Sequence, residues 1–262
     1  MSTARFNETY GPYALVAGGS YGLGAAFADA LARRGLNLVL LARDEDRLNA
    51  TAARLKDAYG VDVVSFAADV ADYQAVKKQI TALNVDIGLV VYDAAYAPIG
   101  LFEDVTEEQL LTATEVNVRA PLLLAKFLSG PMIERGRGGI VLMSSLAGSQ
   151  GSPNIAAYAA TKSFNAILAE GLWKELKPHG VDVLACLAGA ILTPGYEAAE
   201  SAKPAPGTMK AEDVAEQTLN ALGKGPIFVP GAVNKLARFI LMRLVSRRTA
   251  IAIMSQNTGG LS

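Results

Sequence analysis

The chain has 262 residues, of which 51% are hydrophobic and 19% charged, and its formal net charge is −1. This balance excludes the basic footprint of a nucleic-acid binder, and the single cysteine, Cys186, excludes an internal disulfide or a zinc site built on cysteines. So apolar a composition suits a sheet buried on both faces, and the length suits one domain spanning 1–262.

The first ten residues include Arg5 and Glu8 and no apolar stretch, so they read as neither a secretory signal nor an anchor. No uncharged apolar run approaches the ~18 residues that span a bilayer. With no disulfide framework, the expectation is a cytoplasmic protein without membrane contact.

Short β-rich apolar runs at 13–17, 36–42, 62–67, 87–92, 139–144, 181–187 and 226–229 alternate with helical patterns. This alternation is the sequence form of an α/β fold, a Rossmann-type doubly wound parallel sheet of about seven strands with helices on both faces. After the first run comes Ala17-Gly18-Gly19-Ser20-Tyr21-Gly22-Leu23-Gly24, opening a helix whose Leu23, Phe27, Ala30 and Leu31 form one apolar stripe. Glycines at 18, 22 and 24 permit a tight turn and a close backbone approach to phosphate. The free N–H groups of the following helix would receive a pyrophosphate.

The second run ends at Arg43, a cation where an acidic side chain would hold a ribose 2′-hydroxyl, so NADP(H) is expected over NAD(H). Asp44 is better used as the cap of the next helix, whose Leu48, Ala52, Leu55 and Tyr59 recur at helical spacing before Gly60.

Ser145 follows the fifth run, at the strand end where open parallel sheets bind ligands. Thirteen residues on, Tyr158 and Lys162 stand four apart and share a helix face. A free tyrosine has a pKa of about 10, so acid–base work near neutrality asks for about 4 kcal/mol of stabilisation, for which a nearby ammonium is a source. His179, the lone histidine, sits at a helix end, and Cys186 in an apolar run reads as a small core residue. No residue cluster suggests a metal.

Residues 193–210 contain Pro194, Gly195, Pro204, Pro206 and Gly207 and read as a substrate loop. A last helix at 233–254 is apolar but carries Lys235, Arg238, Arg243, Arg247 and Arg248. Its Leu236, Phe239, Ile240, Leu244 and Val245 suit packing on the core or cleft, ahead of a second subunit or a membrane surface.

The glycine turn, Asp69-Val70, Asn117-Val118, Ser145 and Tyr158-x-x-x-Lys162 occur here in an order and spacing that resemble the short-chain dehydrogenase/reductase family, in its compact single-domain branch, over 13–229. The resemblance implies carbonyl–alcohol interconversion by hydride transfer from a nicotinamide. It makes Tyr158 the general acid–base and Ser145 the group orienting the reacting oxygen. Lys162 would lower the tyrosine pKa and hold the nicotinamide ribose, and Asn117 would support a water-linked proton path. Gly18, Ser20, Tyr21, Gly22, Leu23, Gly24, Arg43, Asp69, Val70, Ala94, Gly189, Ile191 and Thr193 would touch the cofactor. Tyr96, Leu146, Ala190 and Tyr196 would border a cleft for an uncharged, hydrophobic substrate. It also implies a homodimer or homotetramer, with Phe164, Ile167, Leu168 and Leu172 as a contact surface.

The sequence departs from the family pattern at three places. Ala17 replaces a threonine, Tyr92-Asp93-Ala94-Ala95 replaces Asn-Asn-Ala-Gly, and Ala188-Gly189 replaces Pro-Gly. Asp93 matters most, because a carboxylate cannot donate as an amide does. A dinucleotide sensor or scaffold on the same fold is the competing reading; the pairing of Ser145 with Tyr158 and Lys162 argues for the enzyme, since binding alone needs no acid–base pair.

Overall fold

A computed structural model describes residues 1–193 and 206–258. All seven apolar runs are strands: β1 (Tyr13–Ala17), β2 (Asn37–Ala42), β3 (Val63–Ala67), β4 (Ile87–Tyr92), β5 (Gly138–Ser145), β6 (Val181–Ala188) and, after two short ones, β9 (Ile227–Phe228). They form one sheet in the order β3-β2-β1-β4-β5-β6-β9, every neighbour parallel. The expected ends differ by a residue or so; Gly138, Ser145 and Ala188 join the ladder, whereas Leu36, Asp62, Pro226 and Val229 fall outside it.

Helix α1 (Thr3–Tyr10) precedes the sheet. Helices α2 (Gly22–Arg33) and α3 (Glu45–Tyr59) then pack on one face and α4 (Tyr73–Leu83) on the other. After α5 (Glu107–Thr114), α6 (Ala120–Arg135) and α7 (Ala156–Leu176) complete the α4 side, while α8 (Ala211–Ala221) returns to the side of α2. Leu15, Val39 and Val91 are fully buried because both faces of these strands are covered. The chain stops and starts as its residues dictate: Leu23, Phe27, Ala30 and Leu31 are buried, Asp44 accepts the Arg47 N–H at 3.0 Å, and Gly60 ends α3 in the left-handed region.

Three features differ from expectation. Helix α1 was not anticipated. Ser2 caps it, Phe6 and Tyr10 stack edge-on with ring centres 4.7 Å apart, and the Tyr10 hydroxyl donates to Asp182 Oδ2 at 2.6 Å. A small parallel pair, β7 (Ile191–Leu192) with β8 (Met209–Lys210), closes the base of the 193–210 segment.

The expected single helix at 233–254 is instead α9 (Ala232–Phe239), a π turn (Ile240–Leu244), an extended Val245 and then α10 (Arg247–Thr258). Ser246 makes the break by offering its hydroxyl to the Thr249 N–H at 3.2 Å, a new start that competes with continuing the old helix. Leu236, Phe239, Ile240 and Leu244 face solvent, which overturns their expected packing on the core or cleft. Asn234 takes the inward position, donating to Gly207 O and Pro230 O.

Removing the Tyr10 hydroxyl leaves Asp182 without its partner in a part-buried place, so Tyr10→Phe should cost about 1–3 kcal/mol in urea unfolding. Tyr13→Phe, which removes a similar but exposed bond to Asp62, should change stability by no more than about 0.5 kcal/mol.

Candidate active site

The strand order reverses between β1 and β4, which opens a crevice at their C-terminal ends. The glycine turn lies there. Gly18 has φ +92°, and a Cβ on it would come within 2.9 Å of the Ala94 nitrogen; one on Gly24 would lie 2.0 Å from the Gly18 carbonyl oxygen. Any larger residue at either place would push the turn off the strand end. Gly22, at φ +54°, brings Thr193 close enough that its methyl group would be 3.2 Å from an added Cβ. The turn thus meets the segment after β6 at Thr193.

A cleft of about 720 Å³ runs from this turn across the strand ends. Gly18, Ser20, Tyr21, Arg43, Asp69, Val70, Ala94 and Tyr96, all expected at a cofactor or substrate, line it. Arg47, which the sequence reading missed, lines it too, with its guanidinium 4.9 Å from the Tyr21 ring centre and paired to Asp44 at 3.1 Å. Its signal was present: it stands one helical turn beyond Arg43. Asp44 is occupied by its cap and by Arg47, whereas Arg43 forms no ion pair among the described residues. Gly22, Leu23 and Gly24 begin α2 beside the cleft. A cradle that only glycine backbone can form, leading into a cleft that Arg43 and Arg47 help to line, fits a dinucleotide.

Ser145 ends β5, and the short 3-10 turn after it presses on α7. A Cβ on Gly148 would lie 2.7 Å from the Ser163 nitrogen, so that glycine permits the contact. Ser144 Oγ donates to the Lys162 carbonyl at 2.7 Å, tying α7 to the strand. The result brings Ser145, Tyr158 and Lys162 together. Lys162 is only 3% exposed; its ammonium lies 5.4 Å from the Tyr158 ring centre and donates to Met143 O at 3.0 Å.

Asn117 is fully buried in a π turn (Glu115–Arg119) that joins α5 to α6. Its Oδ1 accepts from the Tyr96 N–H at 2.8 Å, and its amide donates to Tyr96 O and to Thr161 Oγ1 at 2.7 and 3.0 Å. The side chain therefore fixes the β4 loop against α7. Thr161, which also donates to Tyr158 O, is a positioning residue the sequence reading passed over.

The electrostatics differ from the sequence expectation. Burial pushes the Tyr158 phenol up to about 12, Ser145 pulls it back, and the charge of Asp93 raises it further. The phenol therefore stays well above neutrality in the protein alone. Burial in turn lowers Lys162 to about 8, against the pull of Asp93. Asp93 itself is pushed up to about 6 by burial, opposed by the Lys162 charge and the Gly24 N–H it accepts. The carboxylate thus takes up a contact with the glycine turn rather than loosening it. Ala95 keeps φ outside the left-handed region, so the missing glycine there costs nothing.

Leu146, Gly189, Ala190 and Ile191 are half-buried near the end of β6 and the serine turn. Gly189 packs on Asn234, with 2.9 Å from an added Cβ to the amide. Tyr196 lies outside the described residues, as do the other positions between 194 and 205. No group of acidic, histidine or cysteine side chains among the described residues is placed to hold a metal.

A doubly wound sheet, a glycine cradle and a serine–tyrosine–lysine cluster at the strand ends together define a dinucleotide-dependent oxidoreductase. The family profile described as short chain dehydrogenase matches residues 12–204, and the chain belongs to that family. It is 29% identical to a 7beta-hydroxysteroid dehydrogenase of Clostridium sardiniense over 88% of this chain and 89% of that one. A solved 7beta-hydroxysteroid dehydrogenase superposes with a TM-score of 0.89 at 26% identity, over 95% of this chain and 98% of the other. A short-chain dehydrogenase from Sphingobium yanoikuyae in complex with NADPH is 33% identical, with a TM-score of 0.75 over 84% and 87% of the two chains. The chain is also 31% identical to the inactive hydroxysteroid dehydrogenase-like protein 1 of Mus musculus, over 76% of this chain and 59% of that one. The protein is an NAD(P)(H)-dependent oxidoreductase that interconverts a carbonyl and an alcohol.

Because Asp93 ionises near 6 in the fold but near 3.8 when free, folding disfavours its charged form. Stability is then lost as pH rises through about 6, and an asparagine, which still accepts the Gly24 N–H, avoids that loss. Asp93→Asn should melt at a higher temperature than the parent at about pH 7, with the gain vanishing by about pH 4.

Proposed function

We propose that the protein reduces an uncharged, hydrophobic ketone or aldehyde with NADPH, or oxidises the alcohol in reverse, with Tyr158 as acid–base, Ser145 orienting the reacting oxygen and Lys162 and Asn117 supporting them. The observation that carries this reading is the convergence of Ser145, Tyr158 and Lys162 at the end of β5, beside the glycine cradle. A nicotinamide dinucleotide held on the glycine turn would supply the hydride that the carbonyl carbon accepts. Burial keeps the Tyr158 phenol protonated at neutrality, which is the form reduction needs. Its O–H donates to the carbonyl oxygen as charge develops, and the Ser145 hydroxyl donates to the same oxygen. Lys162 has three donors, of which Met143 O takes one; the others suit ribose hydroxyls. Asn117 holds Tyr96 and Thr161, and through them the cleft wall and the helix under Tyr158.

In this reading the 18–24 turn would hold the phosphates, Asp69 and Val70 the adenine, and Ala94, Gly189, Ile191 and Thr193 the nicotinamide. Arg43 and Arg47 favour a 2′-phosphate, since Asp44 is already engaged. Tyr96, Leu146 and Ala190 border the substrate. Two or four copies associate through α7, where Ile167 is exposed and Phe164, Leu168 and Leu172 are half-buried. The buried, unpaired Cys186 suits a reducing compartment such as the cytoplasm.

A dinucleotide-binding protein without turnover is a second reading, favoured by the likeness to the mouse relative named inactive. Tyr158→Phe decides between them. It should lower NADPH-dependent ketone reduction by about 100-fold or more while leaving NADPH binding within a few-fold. Near-normal turnover in that variant overturns the assignment, and NADPH binding with no turnover by the parent over a carbonyl panel selects the second reading.

Arg43→Ala should raise the KM for NADPH by about tenfold and leave that for NADH nearly unchanged, tenfold being worth about 1.4 kcal/mol. A parent enzyme that prefers NADH contradicts the cofactor assignment.

A further inference from the structure

The C-terminal segment presents an apolar face outward. Seven of the fifteen large hydrophobic side chains exposed among the described residues lie between 233 and 253. Val233, Leu236, Ile240 and Leu244 recur at helical spacing along α9 and the π turn, and Phe239 extends the same face; their exposures run from 38% to 65%. An amphipathic helix normally turns this stripe inward. Here the inward side belongs to Asn234, whose amide bonds to Gly207 O and Pro230 O.

The segment is fastened at both ends. Beyond Asn234, Arg247 donates to Ser149 O at 3.4 Å, Ala250 is buried, and the Thr258 carbonyl accepts from the Asn154 amide at 3.0 Å. The exposed stripe is therefore a built surface on an anchored element.

Its charge is equally one-sided. Lys235, Arg238, Arg243, Arg247 and Arg248 flank the stripe, and no aspartate or glutamate occurs after Glu216, although the whole chain is slightly acidic. Two copies meeting through this face about a twofold axis would set arginine against arginine, with no carboxylate of the segment to intervene. A second copy is thus a poor occupant. An apolar stripe rimmed by cations complements a layer of acyl chains beneath anionic headgroups. No helix among the described residues is long and apolar enough to cross a bilayer, so the segment would lie in the interface plane.

We propose that α9, the π turn and the start of α10 form a docking surface for an anionic lipid bilayer, with Val233, Leu236, Phe239, Ile240 and Leu244 seated among the acyl chains and the exposed Arg243 and Arg248 on the headgroups. The 3-10 turn after Ser145 packs beside this segment, so docking sets the cleft mouth close to the lipid surface. The surface stands whether or not the proposed acid–base roles hold.

The test is flotation of the full-length protein with vesicles of phosphatidylglycerol and phosphatidylcholine, against vesicles of phosphatidylcholine alone. The bound fraction should be at least about tenfold greater on the anionic vesicles and fall sharply in high salt. Leu236→Glu combined with Leu244→Glu should lose at least about tenfold in binding while melting at the parent temperature, because both side chains already face water. Arg243→Gln combined with Arg248→Gln, which leaves the apolar stripe intact, should weaken binding to anionic vesicles alone. Absence of flotation, or flotation that neither pair of changes reduces, overturns the proposal. So does a change of oligomeric state in the Leu236→Glu, Leu244→Glu protein measured by sedimentation without vesicles, which would assign the face to a second copy.

Discussion

The structure turns on how closely backbone must approach backbone where β1 ends. Gly18 stands against the amide of Ala94, and Gly24 stands against the carbonyl of Gly18, at distances no side chain could share. These two contacts bring the start of α2, the end of β4 and the mouth of the cleft to one place. The reversed strand order makes the crevice, but the missing side chains make it deep enough to admit a phosphate to main-chain N–H groups, as the proposed function requires. Everything chemical follows from that placement. Ser145 reaches the same edge because β5 neighbours β4, and α7 brings Tyr158 and Lys162 over it because Gly148 and Ser144 let the helix press on the strand.

Much of this was legible along the chain. Seven apolar runs of strand length are hard to mistake when helices of matching amphipathicity separate them, and Asp44 and Gly60 bound α3 as such residues do elsewhere. The site was legible because its residues recur in a fixed order, each at a strand end or on a helix face. What escaped depended on contacts between distant parts. Helix α1 is short, and an isolated helix of that length is unstable in water; it holds because Phe6 and Tyr10 find a pocket and Asp182 stands 172 residues away to receive a hydroxyl. The break at Val245 escaped because the hydrophobic pattern continues across it. Only Ser246 marks a new start, and a lone serine in a helical pattern seldom does.

Asn117 has a structural task in the fold beside the role that resemblance gave it. Resemblance assigned it to a proton path, whereas its amide in the fold spans the β4 loop and α7 through Tyr96 and Thr161. The π turn around it has a structural effect of its own, since i→i+5 bonding withdraws main-chain groups from the ordinary helical ladder. One of the freed carbonyls, that of Val116, accepts the buried hydroxyl of Tyr92 at 2.5 Å. The Asn117 side chain and the neighbouring Val116 carbonyl thus do different work within one turn, and spacing alone reports only that the asparagine is there.

Asp93 carries the electrostatic argument furthest. A buried ammonium is costly unless something negative faces it, and Lys162 has lost nearly all its solvent. Burial lowers its pKa, and the charge of Asp93 opposes that, leaving it at about 8. The same charge works against ionising Tyr158, which stays near 12. One carboxylate therefore favours both the protonated lysine and the protonated tyrosine, the pair of states that the proposed reduction needs. An asparagine at this position would order the loop without that bias. The departure from the family pattern thus alters the balance of charge in the cleft more than its shape, and it tilts the pair toward the proton-donating form.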